Sequence, residues 1–269
     1  PYIEMHPTDA ATANVRAGGL ARVRSGRGEM LARVVVSADQ RPGSVFAPIH
    51  WNGQNAARAR VDALVYAATD EISGQPEFKH APVAVEPYAA GWYGFVLARE
   101  RIDSRAAGYW TQVRARDCWR HELAGTEAVC LWPRFLRERF GAAGDWIELQ
   151  DGAENRYRTA LMREGRVAVV AFFDRDFAAL PPRLWLETLF EKDALSRAER
   201  ASLLLGRPGK AAPEVGRIVC ACFGVGEATL GQAIAQGAGS VEALGIRLKA
   251  GTHCGSCIPE LKQLLAAGG

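Results

Sequence analysis

The chain has 269 residues, of which 48% are hydrophobic and 23% charged, and its formal net charge is +3. These values are typical of a soluble globular protein and leave room for two or three domains. So small and dispersed a positive charge excludes a nucleic-acid-binding surface, and no apolar run approaches the length of a membrane-spanning helix.

Short strands and tight turns dominate residues 1–86. Strands are predicted at 2–5, 20–24 and 30–37, with a turn at 25–28, and an alanine-rich helix is expected at about 55–68. Many short strands joined by tight turns favour a barrel. The sequence begins with proline rather than methionine, which indicates a piece of a longer chain.

Five phrases in this first segment carry a family resemblance. They are Ile-Glu-Met-His-Pro-Thr-Asp-Ala at 3–10, Ser-Gly-Arg-Gly at 25–28, Pro-Ile-His-Trp-Asn at 48–52, Val-Asp-Ala-Leu-Val at 61–65 and Ser-Gly-Gln-Pro-Glu-Phe-Lys at 73–79. In this order they resemble the C-terminal molybdopterin-dinucleotide-binding domain of molybdenum oxidoreductases, a double-psi β-barrel. His-Trp-Asn with Ser-Gly-Gln-Pro-Glu resembles the assimilatory nitrate reductase branch. The resemblance implies that further barrel strands precede this chain, so that the barrel here is incomplete.

By position, the resemblance implies five contacts to a pterin guanine dinucleotide: His50, Trp51, Asn52, Asp62 and Lys79. Lys79 suits a pyrophosphate, Asn52 offers amide donors and acceptors, and Trp51 offers a flat ring. The family usually has asparagine where this chain has Asp62, and an ionised carboxylate accepts hydrogen bonds without donating them. From the residues alone, the alternative is that His50 and Trp51 are core aromatics, with Asp62 and Lys79 on a solvated face.

Residues 87–205 are expected to form a middle α+β scaffold or docking domain. The patterns predict a buried strand at 92–97, an amphipathic helix at 127–140, a hairpin over 156–173 and a helix opened by a capping box at Ser196. The hairpin resembles the small α+β domain of NAD(P)H-linked flavoprotein reductases, including the nitrite reductase large subunit. No glycine motif for flavin or nucleotide is visible. Cys118 and Cys130 are interpreted as buried, inert thiols.

A linker at 206–212 leads to a third domain at 213–269, which contains four paired cysteines. They fall as Cys220-Ala221-Cys222 and Cys254-Gly255-Ser256-Cys257, with residues 223–253 between the pairs. Cysteines this close in sequence rarely reach disulfide geometry, whereas four thiolates suit zinc or an iron–sulfur cluster. Thiols that bind metal fit a reducing compartment, so a cytoplasmic location is expected.

Helices are predicted around these cysteines. The first covers 227–236, the second is capped by Ser240 and ends at Gly251, and the third begins at Cys257. The phrases at 220–226 and 251–262 resemble the bacterioferritin-associated-ferredoxin-like domain, a small all-α module that holds a 2Fe–2S cluster. The resemblance implies Cys220, Cys222, Cys254 and Cys257 as the metal ligands.

Together the resemblances imply a multidomain, α+β to mainly β chain that forms the C-terminal part of an assimilatory nitrate reductase catalytic subunit. Its expected cofactors are the 2Fe–2S cluster and molybdenum bis(molybdopterin guanine dinucleotide). An NAD(P)H-dependent flavoprotein reductase, or a ferredoxin or flavodoxin, would supply electrons that reduce nitrate to nitrite. The rest of the catalytic subunit, with a 4Fe–4S cluster and the molybdenum ligand, is expected upstream, so no catalytic residue is assigned in this chain.

Three other functions remain open from the sequence. The chain could be the C-terminal region of a nitrite reductase large subunit, although no flavin fold is visible. It could also be a non-catalytic iron–sulfur electron-transfer module, or a zinc-stabilised interaction protein. Residues 1–86 argue against a simple electron carrier, because such a carrier needs no pterin-binding barrel. Neither a nucleic acid nor a membrane is expected as a partner.

Overall fold

The computed structural model describes residues 1–77, 80–209, 216–253 and 255–267. The chain divides into two compact units, Pro1–Arg207 and Pro208–Gly269. Within the described ranges, no helix has both the length and the apolar character needed to cross a bilayer.

The first unit opens with a five-stranded mixed sheet. Its strands are β1 (Tyr2–Met5), β2 (Leu20–Arg24), β3 (Glu29–Val36), β4 (Val45–Phe46) and β5 (Ala84–Pro87), in the order β4-β1-β3-β2-β5. Strands β1 and β3 run parallel, and the other neighbours are antiparallel. Helix α1 (Pro7–Thr12) follows β1 and buries Ala10 in the core of this sheet. The mixed α/β architecture is thus confirmed, whereas the double-psi crossover stays a prediction.

The expected alanine-rich helix at 55–68 is wrong. Only a 3-10 helix, Val61–Leu64, forms there. Ala56 instead bridges Thr111, and Arg58 has a φ of 50°, which lies in the left-handed region. Alanine favours helix, but this segment lacks a broad apolar stripe, so the pairing of its backbone with a strand decides its conformation.

A six-stranded antiparallel sheet forms the rest of the first unit. Its strands are β6 (Trp92–Ala98), β7 (Tyr109–Ala115), β8 (Cys118–Gly125), β9 (Asp145–Asp151), β10 (Arg156–Arg163) and β11 (Arg166–Asp174), in the order β7-β8-β6-β11-β10-β9. The predicted strand at 92–97 and the predicted hairpin are confirmed as β6 and as β10 with β11. The sheet leaves β7 and β9 as its two edges.

Helices cover both faces of this sheet, which explains why β6 and β11 are nearly continuous apolar runs. Helix α2 (Leu131–Phe140) packs on one face, and α3 (Arg183–Leu189) packs on the other. Helix α2 begins later than the expected residue 127, but it buries Trp132, Leu136 and Phe140 as predicted. Helix α4 (Arg197–Ser202) has the predicted capping box at Ser196.

The two cysteines of the middle segment differ in their surroundings. Cys118 is fully buried in β8, and burial raises the pKa of its thiol to about 12, which makes it inert as predicted. Cys130 is exposed just before α2, so the prediction that it is buried is wrong. The chain turns at this point, and Val129 and Trp132 take the inward positions.

The second unit combines a short sheet with three helices. Its elements are β12 (Ile218–Cys220), β13 (Val225–Gly226), α5 (Glu227–Ala235), α6 (Val241–Leu248) and α7 (Ile258–Ala267). The Ser240 hydroxyl accepts a hydrogen bond from the Ala243 N–H at 3.1 Å, so the predicted cap of α6 is confirmed. An all-α domain is not confirmed, because β12 and β13 form an antiparallel pair before the helices. The three helices and the two strands share one apolar core.

Candidate cluster and cofactor sites

Two loops of the second unit carry the candidate cluster ligands. Cys220 ends β12 and is 2% exposed, and Cys257 directly precedes α7 and is 5% exposed. Both residues belong to one buried core cluster, and burial, with a smaller effect of the neighbouring Cys220 thiol, raises the pKa of Cys257. Cys222 is exposed in the turn after β12. The fold thus brings Cys220 and Cys257, which are far apart in sequence, into one core.

A histidine lies against the exposed thiol. The Nδ1 atom of His253 is 3.7 Å from the Cys222 sulfur, and the His253 ring meets Phe223 edge to face, with centroids 6.3 Å apart. Because a metal-bound thiolate can only accept a hydrogen bond, Nδ1 must carry the proton once Cys222 is a ligand. The position of His253 beside Cys254 in the sequence suggested either a hydrogen bond near the cluster or exposure to solvent, and its contact with Cys222 becomes visible only in the folded chain.

The fourth predicted ligand, Cys254, lies outside the described residues. Within the described part of the chain, no three Cys, His, Asp or Glu residues are grouped closely enough to form a metal site. The described thiols nevertheless have the donor chemistry that an iron–sulfur cluster requires. Soft sulfur donors lie in two neighbouring loops, and Gly224 and Gly255 give those loops the left-handed backbone that larger residues resist (φ 62° and 73°).

In the first unit, the segment 50–52 lies in a loop that its own side chains stabilise. His50 and Asn52 are exposed, and Trp51 is half-buried. The Asn52 side-chain oxygen accepts a hydrogen bond from the Gln54 N–H at 2.9 Å, while the Asn52 N–H donates to the Asn55 side chain at 3.0 Å. The hydrogen bond from Gln54 takes one of the two lone pairs of the Asn52 oxygen and fixes the amide, so the side-chain N–H groups are the donors that Asn52 offers to a ligand.

The structure does not bring the other predicted pterin contacts into one visible site. Asp62 lies in the first turn of the short 3-10 helix with an exposed side chain, 3.8 Å from Arg60, and no described hydrogen bond or ion pair joins it to residues 50–52. Lys79 lies outside the described residues. His50 lines an apolar groove of about 920 Å³ together with His80, Ile3, Met30 and Phe46.

Trp51 lines a different cavity, a polar cleft of about 470 Å³ between the two sheets of the first unit. In this cleft the Arg183 guanidinium binds both carboxylate oxygens of Glu122, at 2.9 and 2.7 Å, and Arg33 lies 3.4 Å from the same carboxylate. Sequence patterns gave no signal for these residues, because β3, β8 and α3 meet only in the folded chain.

Comparison with known families gives two domain assignments. Residues 1–82 match the model of the molydopterin dinucleotide binding domain, and residues 218–267 match that of the BFD-like 2Fe-2S binding domain. The chain carries both of these domains. The resemblances found in the sequence are therefore confirmed at both ends of the chain, while the cysteine ligands and the pterin contacts stay predictions.

Several curated proteins are similar to this chain. A nitrate reductase of Klebsiella oxytoca is 39% identical over 267 residues, which cover 99% of this chain and 30% of that protein. The assimilatory nitrate reductase catalytic subunit of Bacillus subtilis is 35% identical over 86 residues, 32% of this chain and 12% of that protein. The F420-dependent formate dehydrogenase subunit alpha of Methanocaldococcus jannaschii has the same identity and coverage. The chain thus spans less than a third of the length of these relatives.

Proposed function

We propose that this chain is the C-terminal part of a molybdenum-dependent assimilatory nitrate reductase that converts nitrate to nitrite. The observation that carries the proposal is the joining, in one chain, of a pterin-dinucleotide-binding domain to a 2Fe–2S-binding domain in which Cys220 and Cys257 lie in one buried core. The similarity to the Klebsiella oxytoca nitrate reductase also runs through the middle segment that separates these domains.

In this proposal, Cys220, Cys222, Cys254 and Cys257 bind a 2Fe–2S cluster. Such a cluster passes one electron at a time, and its potential depends on burial and on hydrogen bonds to the sulfurs. The Cys220 and Cys257 sulfurs face the apolar core, whereas Cys222 is exposed. Electrons therefore enter on the Cys222 side. The donor is an NAD(P)H-dependent flavoprotein reductase, or a ferredoxin or flavodoxin, and the location is the cytoplasm.

The first domain binds part of a molybdenum bis(molybdopterin guanine dinucleotide) through His50, Trp51, Asn52, Asp62 and Lys79. Asn52 donates from its amide N–H groups, because the hydrogen bond from Gln54 fixes the amide. Asp62, with its exposed carboxylate, accepts from an N–H of guanine or pterin. Lys79 neutralises phosphate charge. The apolar groove beside His50 supports an open double-psi barrel completed by other strands of the enzyme.

The proposed domains are 1–86, 87–205 and 213–269, with a linker at 206–212. The linker agrees with the division of the chain into compact units at Arg207. The molybdenum ligand and a 4Fe–4S cluster are assigned to the rest of the catalytic subunit. When bound, the molybdenum centre supplies the oxygen-accepting chemistry, and conversion of nitrate to nitrite and water consumes two electrons and two protons.

The observation that favours a second function is the similarity of an 86-residue stretch of this chain to a formate dehydrogenase subunit, at the same 35% identity as to the Bacillus subtilis nitrate reductase subunit. The proposal is tested by assaying the complete enzyme with nitrate plus a reduced dye, and with formate plus an oxidised dye. We expect nitrite formation that depends on molybdenum, and no formate oxidation. Formate oxidation without nitrite formation would contradict the nitrate assignment. Reduction of nitrite alone would favour the nitrite reductase alternative.

Replacing His253 with alanine is expected to lower the midpoint potential of the cluster. An N–H donor near the Cys222 sulfur draws negative charge away from it and so favours the reduced cluster, which carries one more electron. Potentiometric titration followed by electron paramagnetic resonance measures the shift. His80→Ala, which changes an exposed histidine of the first unit, is the matched control. An unchanged potential in His253→Ala would show that the contact does not reach the cluster.

A further inference from the structure

The middle domain contacts the loop that contains the proposed pterin contacts at 50–52. The contact is made by one edge of its six-stranded sheet. Strand β7 is an edge strand, so its outer N–H and C=O groups have no strand partner in the sheet. The Ala57 N–H donates to the Trp110 carbonyl, and the Gln112 N–H donates to the Asn55 carbonyl, each at 2.8 Å. Ala56 and Thr111 form the bridge between these two hydrogen bonds.

The side chain of Gln112 adds a third hydrogen bond to the same loop. Its amide nitrogen donates to the Gln54 carbonyl at 2.5 Å, and the residue is only 7% exposed. This hydrogen bond stabilises the loop, because removing the buried amide donor would leave the Gln54 carbonyl without its partner. Gln112 therefore binds the loop through both its backbone and its side chain.

The two residues that Gln112 binds are the two that fix Asn52. The Gln54 N–H donates to the Asn52 side-chain oxygen, and the Asn55 side-chain oxygen accepts from the Asn52 N–H. One pair of contacts thus runs from Gln112 through Gln54 to the Asn52 amide, and a second runs from Gln112 through Asn55 to the Asn52 backbone. The donor at Gln54 also fixes which way the Asn52 amide points, with its N–H groups outward.

We propose that Gln112 is a positioning residue that holds Asn52 in the orientation needed to donate to the pterin dinucleotide. The inference rests on the proposed function and assigns a task to the middle domain, whose role the sequence left undefined. It identifies residues 55–57, at the end of this loop, as a short segment that pairs with the edge strand β7 around the Ala56–Thr111 bridge. The middle domain then acts as the rigid support on which this part of the cofactor site is built.

The test uses the complete enzyme with Gln112→Met and Gln112→Glu. Both substitutions keep approximately the size of the side chain and remove the amide donor. The matched control is Gln150→Glu on β9, the opposite edge strand, where the side chain is exposed. Five quantities are measured for each variant: molybdenum, guanine nucleotide and iron per chain, hydrogen exchange of the segment 52–57, and thermal stability.

We expect both Gln112 variants to lose molybdenum and nucleotide at least about fivefold and to exchange hydrogen faster at 52–57, since removing the amide donor leaves the Gln54 carbonyl without its partner. Iron content and the control should stay unchanged. Normal pterin content in Gln112→Met would overturn the inference, because a loss confined to Gln112→Glu would then reflect a buried charge. Parallel loss of iron, molybdenum and thermal stability would also overturn it, by showing a merely structural role. If the unmodified enzyme itself held no pterin nucleotide, the proposed function would fail instead.

Discussion

Replacing Cys257 with serine in the complete enzyme is expected to remove the visible absorption of the proposed 2Fe–2S cluster and to abolish nitrate reduction driven by the physiological electron donor. Cys257 is buried in the same core cluster as Cys220, so the substitution removes a proposed ligand that packs in the core of the second unit. A hydroxyl is a harder and far less acidic donor than a thiol, which disfavours binding of iron and sulfide. Donor-driven activity should fall at least about 100-fold, given that even outer-shell changes cost 10–100-fold.

Activity with a dye that reduces the molybdenum centre directly should survive in the same variant. Cys220→Ser is expected to behave like Cys257→Ser, and so is Cys254→Ser, whose position lies outside the described residues. Cys130→Ser is the matched control, because that thiol is exposed in the first unit and binds nothing in the proposal. The measurements are the visible spectrum and the two activities. Equal loss of both activities, with molybdenum retained, would show that the cysteines have a structural role rather than a role in electron transfer.

Acidification from pH 7 to pH 4.5 is expected to destabilise the first unit through His121. This residue is fully buried in β8, its Nε2 accepts from the Ile102 N–H at 3.4 Å, and its Nδ1 lies 2.8 Å from the Ser104 hydroxyl. A backbone N–H can only donate, so the ring is neutral and its proton lies on Nδ1. Burial, with a smaller effect of Arg101, lowers the pKa of His121 to about 4.

The sign follows from comparing the folded and unfolded states. Well above pH 6.5, the ordinary pKa of histidine, His121 is neutral in both states and its titration does not change the free energy of unfolding. As the pH falls toward 4, the unfolded state takes up a proton that the folded state refuses, so stability is lost progressively. Each pH unit over which only the unfolded state is protonated lowers the free energy of unfolding by about 1.4 kcal/mol. Because protonation is partial near both pKa values, the total decrease between pH 7 and pH 4.5 is about 2 kcal/mol.

Urea unfolding followed by tryptophan fluorescence at both pH values measures this loss. In His121→Gln the acid-induced decrease should be smaller by about 2 kcal/mol, whatever the stability of that variant at pH 7. His80→Gln, which alters an exposed histidine, should keep the dependence of the unmodified protein. Identical decreases in His121→Gln and in the unmodified protein would show that the buried ring does not control acid stability.

Local signals predicted the second unit well. Ser240 and Gly237 set the boundary between α5 and α6. This boundary depends on helix capping, which is visible in short stretches of sequence, whereas the four-cysteine ligand set stays a prediction. The end of α6 was less predictable, because Lys249 rather than Gly251 takes the left-handed position that stops the helix.

The first unit was harder to predict because its key contacts are long-range. The parallel pairing of β1 with β3, and the pairing of the alanine-rich segment with β7, join residues that are distant in sequence. Gln112 carries no motif, and only its position opposite Asn55 gives it a role. Such contacts depend on strand order and register, which side-chain periodicity within one segment does not specify.

The most direct test of the proposed electron relay is a single-turnover experiment on the complete, anaerobically purified enzyme. The 2Fe–2S cluster is first reduced, nitrate is added without further donor, and the paramagnetic signal of the reduced cluster is followed together with nitrite. We predict that the signal disappears as nitrite forms, with one nitrite for each two electrons that leave the enzyme, and that Cys257→Ser shows no such signal. A reduced cluster that persists while nitrate is converted, or a protein that holds zinc in place of iron, would contradict the account.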